Sequence, residues 1–193
     1  MTYYKNLLPL FLLIVCFGLG ACGPSAEELN TSAMEKLENE DFGGALEDLN
    51  KAIEQDSGYA VSYFNRGHVY IKTGELLKVL ENFDKAIHLD SGYVEAYYNR
   101  GIIYSYFEEY DKSMADFNKV IVLHPEDTEA YVSRALVRSW LGDREGELAD
   151  LKVAARLGDH AIRELLEDNG IEWDDEAAKE GTSDHEDEKA LTR

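Results

Sequence analysis

The stretch Glu95-Ala96-Tyr97-Tyr98-Asn99-Arg100-Gly101-Ile102-Ile103-Tyr104 has a near-copy 34 residues earlier, in Val61-Ser62-Tyr63-Phe64-Asn65-Arg66-Gly67-His68-Val69-Tyr70. A repeat at fixed spacing confines a chain to architectures in which one small unit stacks on the next, because a single unit of this size cannot bury its apolar face alone. Fainter copies of the same frame lie 34 residues further out on each side, at Thr31-Ser32-Ala33 and Ser133-Arg134-Ala135. Four units therefore tile residues 26–161 in register, as 26–59, 60–93, 94–127 and 128–161.

Each unit can be counted from its own first residue. Position 4 reads Leu29, Tyr63, Tyr97 and Tyr131, and position 8 reads Ala33, Gly67, Gly101 and Ala135. A small residue at position 8 lets a second helix close against the first. The second half of each unit carries a large apolar residue at position 24 (Leu49, Phe83, Phe117, Leu151) and a smaller one three places on (Ala52, Ala86, Val120, Ala154), a spacing that puts both on one helical face. Turn signals within the units are Gly43-Gly44, Thr73-Gly74, Glu108-Glu109 and Leu141-Gly142. Between units they are Asp56-Ser57-Gly58, Asp90-Ser91-Gly92, His124-Pro125 and Gly158-Asp159.

This pattern resembles the tetratricopeptide repeat (TPR), a helix-turn-helix of 34 residues. The resemblance implies an all-α fold: a right-handed TPR solenoid of about four helix-turn-helix repeats with a C-terminal capping helix. The helix-ending Pro typical of the family occurs only at Pro125, and Lys36 and Arg138 replace the aromatic found at Tyr70 and Tyr104. The outer units are thus the more polar ones, as expected of repeats that face water on one side.

Ahead of the repeats, an apolar run from Leu7 to Ala21 follows a single Lys5. It is too short to span a bilayer comfortably and reads as a secretory signal peptide over residues 1–21. Leu19-Gly20-Ala21-Cys22 resembles the lipobox of bacterial lipoproteins, in which the thiol accepts the lipid; an ordinary signal peptide with a chance Cys, or a retained helix, is the alternative. Once Cys16 leaves with the signal, Cys22 has no partner for a disulfide within the chain. The resemblance implies a bacterial TPR-containing lipoprotein held at the cell membrane by acyl chains such as palmitate on Cys22, with residues 22–25 as a short tether. Gly23, where the best-known sorting rule uses Asp for inner-membrane retention, favours an outer-membrane address facing the periplasm. Several acyl chains suffice for a stable anchor, at about 0.8 kcal/mol per buried methylene.

Beyond the fourth unit, residues 162–173 are expected to form the capping helix, closed by Asn169-Gly170, with Ile171 and Trp173 folding back. Residues 174–193 are dominated by Asp and Glu and read as a disordered acidic tail, a composition that cannot offset its chain entropy.

A net charge of −20 excludes a nucleic-acid role, since a polyanion is repelled over most of such a surface. Anionic headgroups are repelled too, so membrane contact rests on the lipid anchor. The five histidines are scattered over the repeats and the tail without metal-ligand spacing, and no nucleophile motif or phosphate-cradling loop is present. The expectation is a chain that is not an enzyme and has no metal and no cofactor apart from the covalent lipid.

In the TPR family the first helix of each unit lines the concave groove. Carried over position by position, that groove presents Phe64, Asn65, His68 and Lys72, then Tyr98, Asn99, Ile102 and Tyr106, then Val132, Ser133, Leu136 and Trp140. The candidate binding set is Phe64, Asn65, His68, Tyr98, Asn99, Tyr106, Ser133 and Trp140. Asn65 and Asn99 stand where an amide can hold a peptide backbone, or can instead bond a neighbouring helix. Arg66 and Arg100, one place later, are expected to pair with acids of the solenoid. The implied function is a lipid-anchored envelope scaffold or adaptor that binds another cell-envelope protein, or a segment of one, through this groove. The alternatives are a self-associating spacer, in which the end repeats meet a second copy as a homodimer, and a regulatory accessory subunit of an envelope enzyme.

Overall fold

The structure is a computed structural model that describes residues 23–173; the expected signal peptide, Cys22 and the acidic segment 174–193 lie outside the described residues. Among the described residues there are nine helices and no strands: α1 (Ala26–Glu38), α2 (Phe42–Gln55), α3 (Ala60–Thr73), α4 (Leu76–Leu89), α5 (Val94–Tyr106), α6 (Tyr110–Leu123), α7 (Thr128–Trp140), α8 (Arg144–Arg156) and α9 (His160–Asp168). The first helices of the four units begin at 26, 60, 94 and 128 and the second at 42, 76, 110 and 144, so the 34-residue frame holds in both halves. Each helix packs on the next in sequence, and first helices of neighbouring units also touch, α1 with α3 and α5 with α7. The result is the expected TPR solenoid, with its core between the two helices of each unit and the first helix of the next.

The small and large positions of the repeat meet at the heart of each unit. Phe83 and Phe117 are fully buried beneath Gly67 and Gly101. A Cβ on Gly67 would lie 2.6 Å from Phe83 Cε1, and one on Gly101 3.1 Å from Phe117 Cε1. The outer units carry Ala at position 8 and Leu at position 24, so the methyl group added on one helix is matched by a smaller side chain on the other. Leu49 is fully buried, whereas Leu151 is only partly covered because the short α9 is what packs on α8.

Two boundaries differ from the sequence reading. Gly43 and Gly44 are not the first unit's turn; they lie in the first turn of α2, and the chain reverses at Asn39–Asp41. Asp41 caps α2 by accepting from the Gly44 amide at 2.9 Å, and a Cβ on Gly44 would lie 2.2 Å from the capping carboxylate. That glycine makes room for a cap. The left-handed residue of the reversal is Glu40 (φ 61°), equivalent to Gly74 (77°), Glu108 (59°) and Gly142 (76°) in the other units.

The last helix also starts earlier and ends sooner than 162–173. Asp159 caps it by accepting from the Ile162 amide at 3.0 Å, and Asn169-Gly170, with Gly170 at φ 68°, terminates it. The chain then folds back: the Ile171 amide donates to the Leu166 carbonyl at 2.9 Å, and Trp173 Nε1 donates to Glu167 at 3.0 Å beneath the Arg163 guanidinium. An apolar cleft of about 520 Å³, lined by Leu148, Leu151, Leu165 and Ile171 among others, remains between α8 and this hook.

Candidate protein-binding face

Position 7 of the units carries Arg66, Arg100 and Arg134, and their guanidinium groups tie the solenoid together. Arg100 Nε and Nη2 donate to the two Asp116 oxygens at 2.8 and 2.6 Å, while Nη1 reaches back to Asp84 of the preceding unit at 2.6 Å. Arg134 repeats this with Asp150 at 2.9 and 2.6 Å and with Asn118 at 2.5 Å. Arg66 makes a neutral version with Asn82 and Asn50, both at 2.8 Å. Each of these arginines also stacks over the Tyr at position 4 of its own unit. Burial alone would lower the Arg100 guanidinium pKa, but its bonds to Asp116 and Asp84 raise it, so the charge is retained. Burial pushes the Asp116 carboxyl up, with Arg100 working against that rise.

The arginine–acid pairing expected for Arg100 is therefore present, while Arg66 pairs with amides. The acceptors at positions 23 and 25 escaped the sequence reading, although their recurrence 16 residues after and 16 residues before each Arg was available. In this spine the basic residues of position 7 are engaged with the solenoid's own acceptors. The spine also ties α3, α5 and α7 to the second helices on either side, and so orients the residues on their other faces.

The predicted groove residues divide sharply. Phe64 is half-buried, its ring packed on His68 (4.5 Å between centroids), Tyr93 (4.8 Å) and Phe83 (5.4 Å), so it belongs to the core between the second and third units. His68 is half-buried, and its Nε2 has no hydrogen-bond partner among the described residues. Burial, and then the nearby Lys72 charge, lower its pKa below the ordinary histidine value, which keeps it neutral. Burial likewise pushes the Tyr93 hydroxyl up to about 12.

Asn65 Nδ2 donates to Asn30 Oδ1 at 2.9 Å, and Asn30 in turn donates to Ser62 Oγ at 2.7 Å, so this amide is engaged in joining α1 to α3. Asn99 Nδ2 donates to the Glu95 carbonyl of its own helix at 2.7 Å. Among the described residues the side-chain oxygens of Asn65 and Asn99 accept no hydrogen bond. Tyr98 Oη and Ser133 Oγ share a hydrogen bond of 3.1 Å that joins α5 to α7, with the Tyr98 ring against Phe117.

What remains open are the C-terminal halves of α5 and α7. Tyr106 is 72 % exposed, Ile102 41 %, and Leu136 and Trp140 50 % each. At spacings of four they form parallel stripes on adjacent helices. Trp140 lies tilted against Tyr110 at 5.7 Å, so its ring is oriented by one contact while half its surface faces solvent. Tyr110 was not singled out from the sequence because it opens a second helix, and nothing in its spacing marks it as a support for Trp140. Among the described residues no three His, Cys, Asp or Glu side chains are grouped to hold a metal ion, and no helix is long and apolar enough to cross a membrane.

Residues 60–93 and 94–127 each match a family profile described as tetratricopeptide repeat. These are the two inner units, in the register read from the sequence. No curated protein matches the chain's sequence. Among solved structures, MamA is 24 % identical with a TM-score of 0.66 over 72 % of this chain and 82 % of that one. A tetratricopeptide repeat protein from Parabacteroides merdae ATCC 43184 is 22 % identical with a TM-score of 0.67 over 73 % of this chain and 56 % of that one. The first TPR of Spaghetti (RPAP3), bound to the HSP90 peptide SRMEEVD, is 19 % identical with a TM-score of 0.58 over 61 % and 94 % of the two chains. These likenesses establish the fold.

Proposed function

We propose, from a chain whose inner units match the tetratricopeptide repeat and whose fold is that of a TPR solenoid, that this protein is a non-enzymatic scaffold. In this reading it is lipid-anchored through Cys22 at the cell envelope and recruits another envelope protein through the face of its first helices. The observation that carries the reading is the exposed stripe of Ile102, Tyr106, Leu136 and Trp140 on adjacent helices. A monomer rarely leaves a contiguous apolar patch in water without a use for it, and aromatic side chains are the residues that most often anchor partner segments. The peptide held by the first TPR of Spaghetti (RPAP3) gives a precedent for segment binding on this fold. The anchor follows from Leu19-Gly20-Ala21-Cys22 and the short link to α1, which would hold the solenoid close to its membrane.

The test has two arms. Photo-crosslinking residues placed at Tyr106 and Trp140 should trap a partner in envelope preparations, whereas one at the exposed Val122 on a second helix should not. Trapping from Val122 alone would move the interface to the outer helices and sink the reading. Cys22→Ser should abolish incorporation of labelled fatty acid and leave an unprocessed precursor; undiminished labelling would refute the anchor.

A further inference from the structure

The apolar stripe on α5 and α7 is bounded by acid at both ends. Glu95 and Glu129, both exposed, stand at the N-terminal ends of the two helices on the same faces as Ile102 and Leu136. At the other end Glu108, Glu109 and Asp111 share a cleft with Leu141, next in sequence to Trp140. Neither α5 nor α7 places a Lys or Arg on the stripe. Arg100, Arg134 and Arg138 point into the polar spine, where Asp84, Asp116 and Asp150 hold them. Lys112, in the cleft with Leu141, is ion-paired to Glu109 and lies over Tyr104.

Charge decides between occupants. A second copy would bring a formal charge of −20 against −20. The chain's own residues 174–193 carry eight Asp and Glu against three Lys and Arg, so they too meet this rim with the wrong sign. The SRMEEVD peptide bound by the first TPR of Spaghetti (RPAP3) is acidic at its end, and a segment of that kind would face Glu95 and Glu129 here.

We infer that the segment this face takes is cationic and apolar: a partner peptide whose aliphatic or aromatic side chains sit on Tyr106, Leu136 and Trp140 while its Lys or Arg residues meet Glu95, Glu129 and the acidic turn after α5. The inference rests on the reading of this face as the partner-binding one and adds the chemistry of what it binds. Exposed charges act over about a Debye length, some 8–10 Å at ordinary salt, so both acidic ends are within reach of a segment lying along the stripe.

The experiment uses the purified full-length chain and two labelled, end-blocked nonapeptides that share Leu and Phe positions, one carrying four Lys and the other four Glu. Affinity is read by anisotropy at low and high salt. The Lys peptide should bind at least about tenfold tighter at low salt, with the ratio shrinking as salt rises. Trp140→Ala or Leu136→Ala should weaken it by about fivefold or more. Glu95→Gln with Glu129→Gln should narrow the Lys-to-Glu ratio without altering helicity. If the Glu peptide binds better, or the two bind alike, and Trp140→Ala still weakens them, the charge inference is overturned while the binding face stands. If the Lys peptide binds but ignores both Trp140→Ala and Leu136→Ala, the inference and the assigned face both fall. No binding of the Lys peptide also overturns the inference.

Discussion

Units 60–93 and 94–127 set a Phe at position 24 against a Gly at position 8, whereas units 26–59 and 128–161 set a Leu against an Ala. The exchange extends to the polar edge. In the inner units Tyr70 and Tyr104 lie under Lys78 and Lys112, at 4.9 and 5.1 Å, and those lysines pair with Glu75 and Glu109. In the outer units the cation has moved to the first helix. Lys36 reaches Asp48 at 2.5 Å and Arg138 reaches Asp150 at 3.1 Å. Gly44 and Gly146 stand where the lysines were, and Asp41 and Asp143 cap the second helix in place of the uncapped glutamates. Read position by position the outer units look degenerate. Taken as sets they are a second solution to the same packing, in which side-chain volume moves between positions 8 and 24 and the positive charge moves from the second helix to the first.

The sharpest way to break that comparison is at position 23. Asp150 is 3 % exposed at its side chain and meets two guanidinium groups, Arg134 and Arg138, so Asp150→Ala removes the acid bonded to Arg134 and leaves Arg138 only the more distant Asp143, at 3.7 Å. The cost should be about 3 kcal/mol or more by urea unfolding. Asn82→Ala, where Arg66 meets only amides, should cost clearly less. Equal losses would mean that the acid is not what the outer unit depends on.

The volume exchange predicts an intermediate effect. Gly67→Ala forces a methyl group against the Phe83 ring and should destabilise by about 1–3 kcal/mol despite the gain in helix propensity. Adding Phe83→Leu recreates the outer-unit pairing and should recover part of the loss. A double variant less stable than the sum of the two single ones would refute the compensation.

His68 sets unit 60–93 apart from the others, which carry Met34, Ile102 and Leu136 at the same position. Because its pKa is lowered in the folded chain, the unfolded chain takes up the proton first. Stability is therefore full above the ordinary histidine value and falls as pH drops below about 6.5, by at most about 1.4 kcal/mol per pH unit. His68→Leu should flatten the pH 5–7 part of the stability profile. An unchanged slope would show that another group is responsible.

The smallest effect concerns the helical reversals. Glu40 and Glu108 hold the left-handed conformation that Gly74 and Gly142 adopt without strain. Glu108→Gly should raise stability by up to about 1 kcal/mol, and Gly142→Ala should lower it by a similar amount. Thermal unfolding of the pair would distinguish these opposite signs.

Much of the fold was legible in the chain because a 34-residue period leaves one arrangement for each small and large position. The starts of the four first helices at the unit boundaries, the closeness of Gly67 to Phe83, and the fold-back of Ile171 and Trp173 follow from periodicity and turn chemistry. The first-unit turn was misread at Gly43-Gly44 because glycine signals both a reversal and room beside a capping carboxylate, and only the placement of Asp41 separates the two.

The binding face was legible only as a list of positions. Phe64, Asn65, His68, Tyr98, Asn99, Tyr106, Ser133 and Trp140 share one face of their helices by spacing, which one chain determines alone. Whether each is available is set by contacts between units. Phe64 and His68 are taken up by Tyr93 and Phe83, Asn65 by Asn30, and Tyr98 by Ser133, while Tyr106 and Trp140 stay at least half exposed among the described residues, Trp140 despite its contact with Tyr110. Helical periodicity is a property of consecutive residues and can be read from them. Exposure depends on side chains brought together from about one repeat away, and only the tertiary structure decides it.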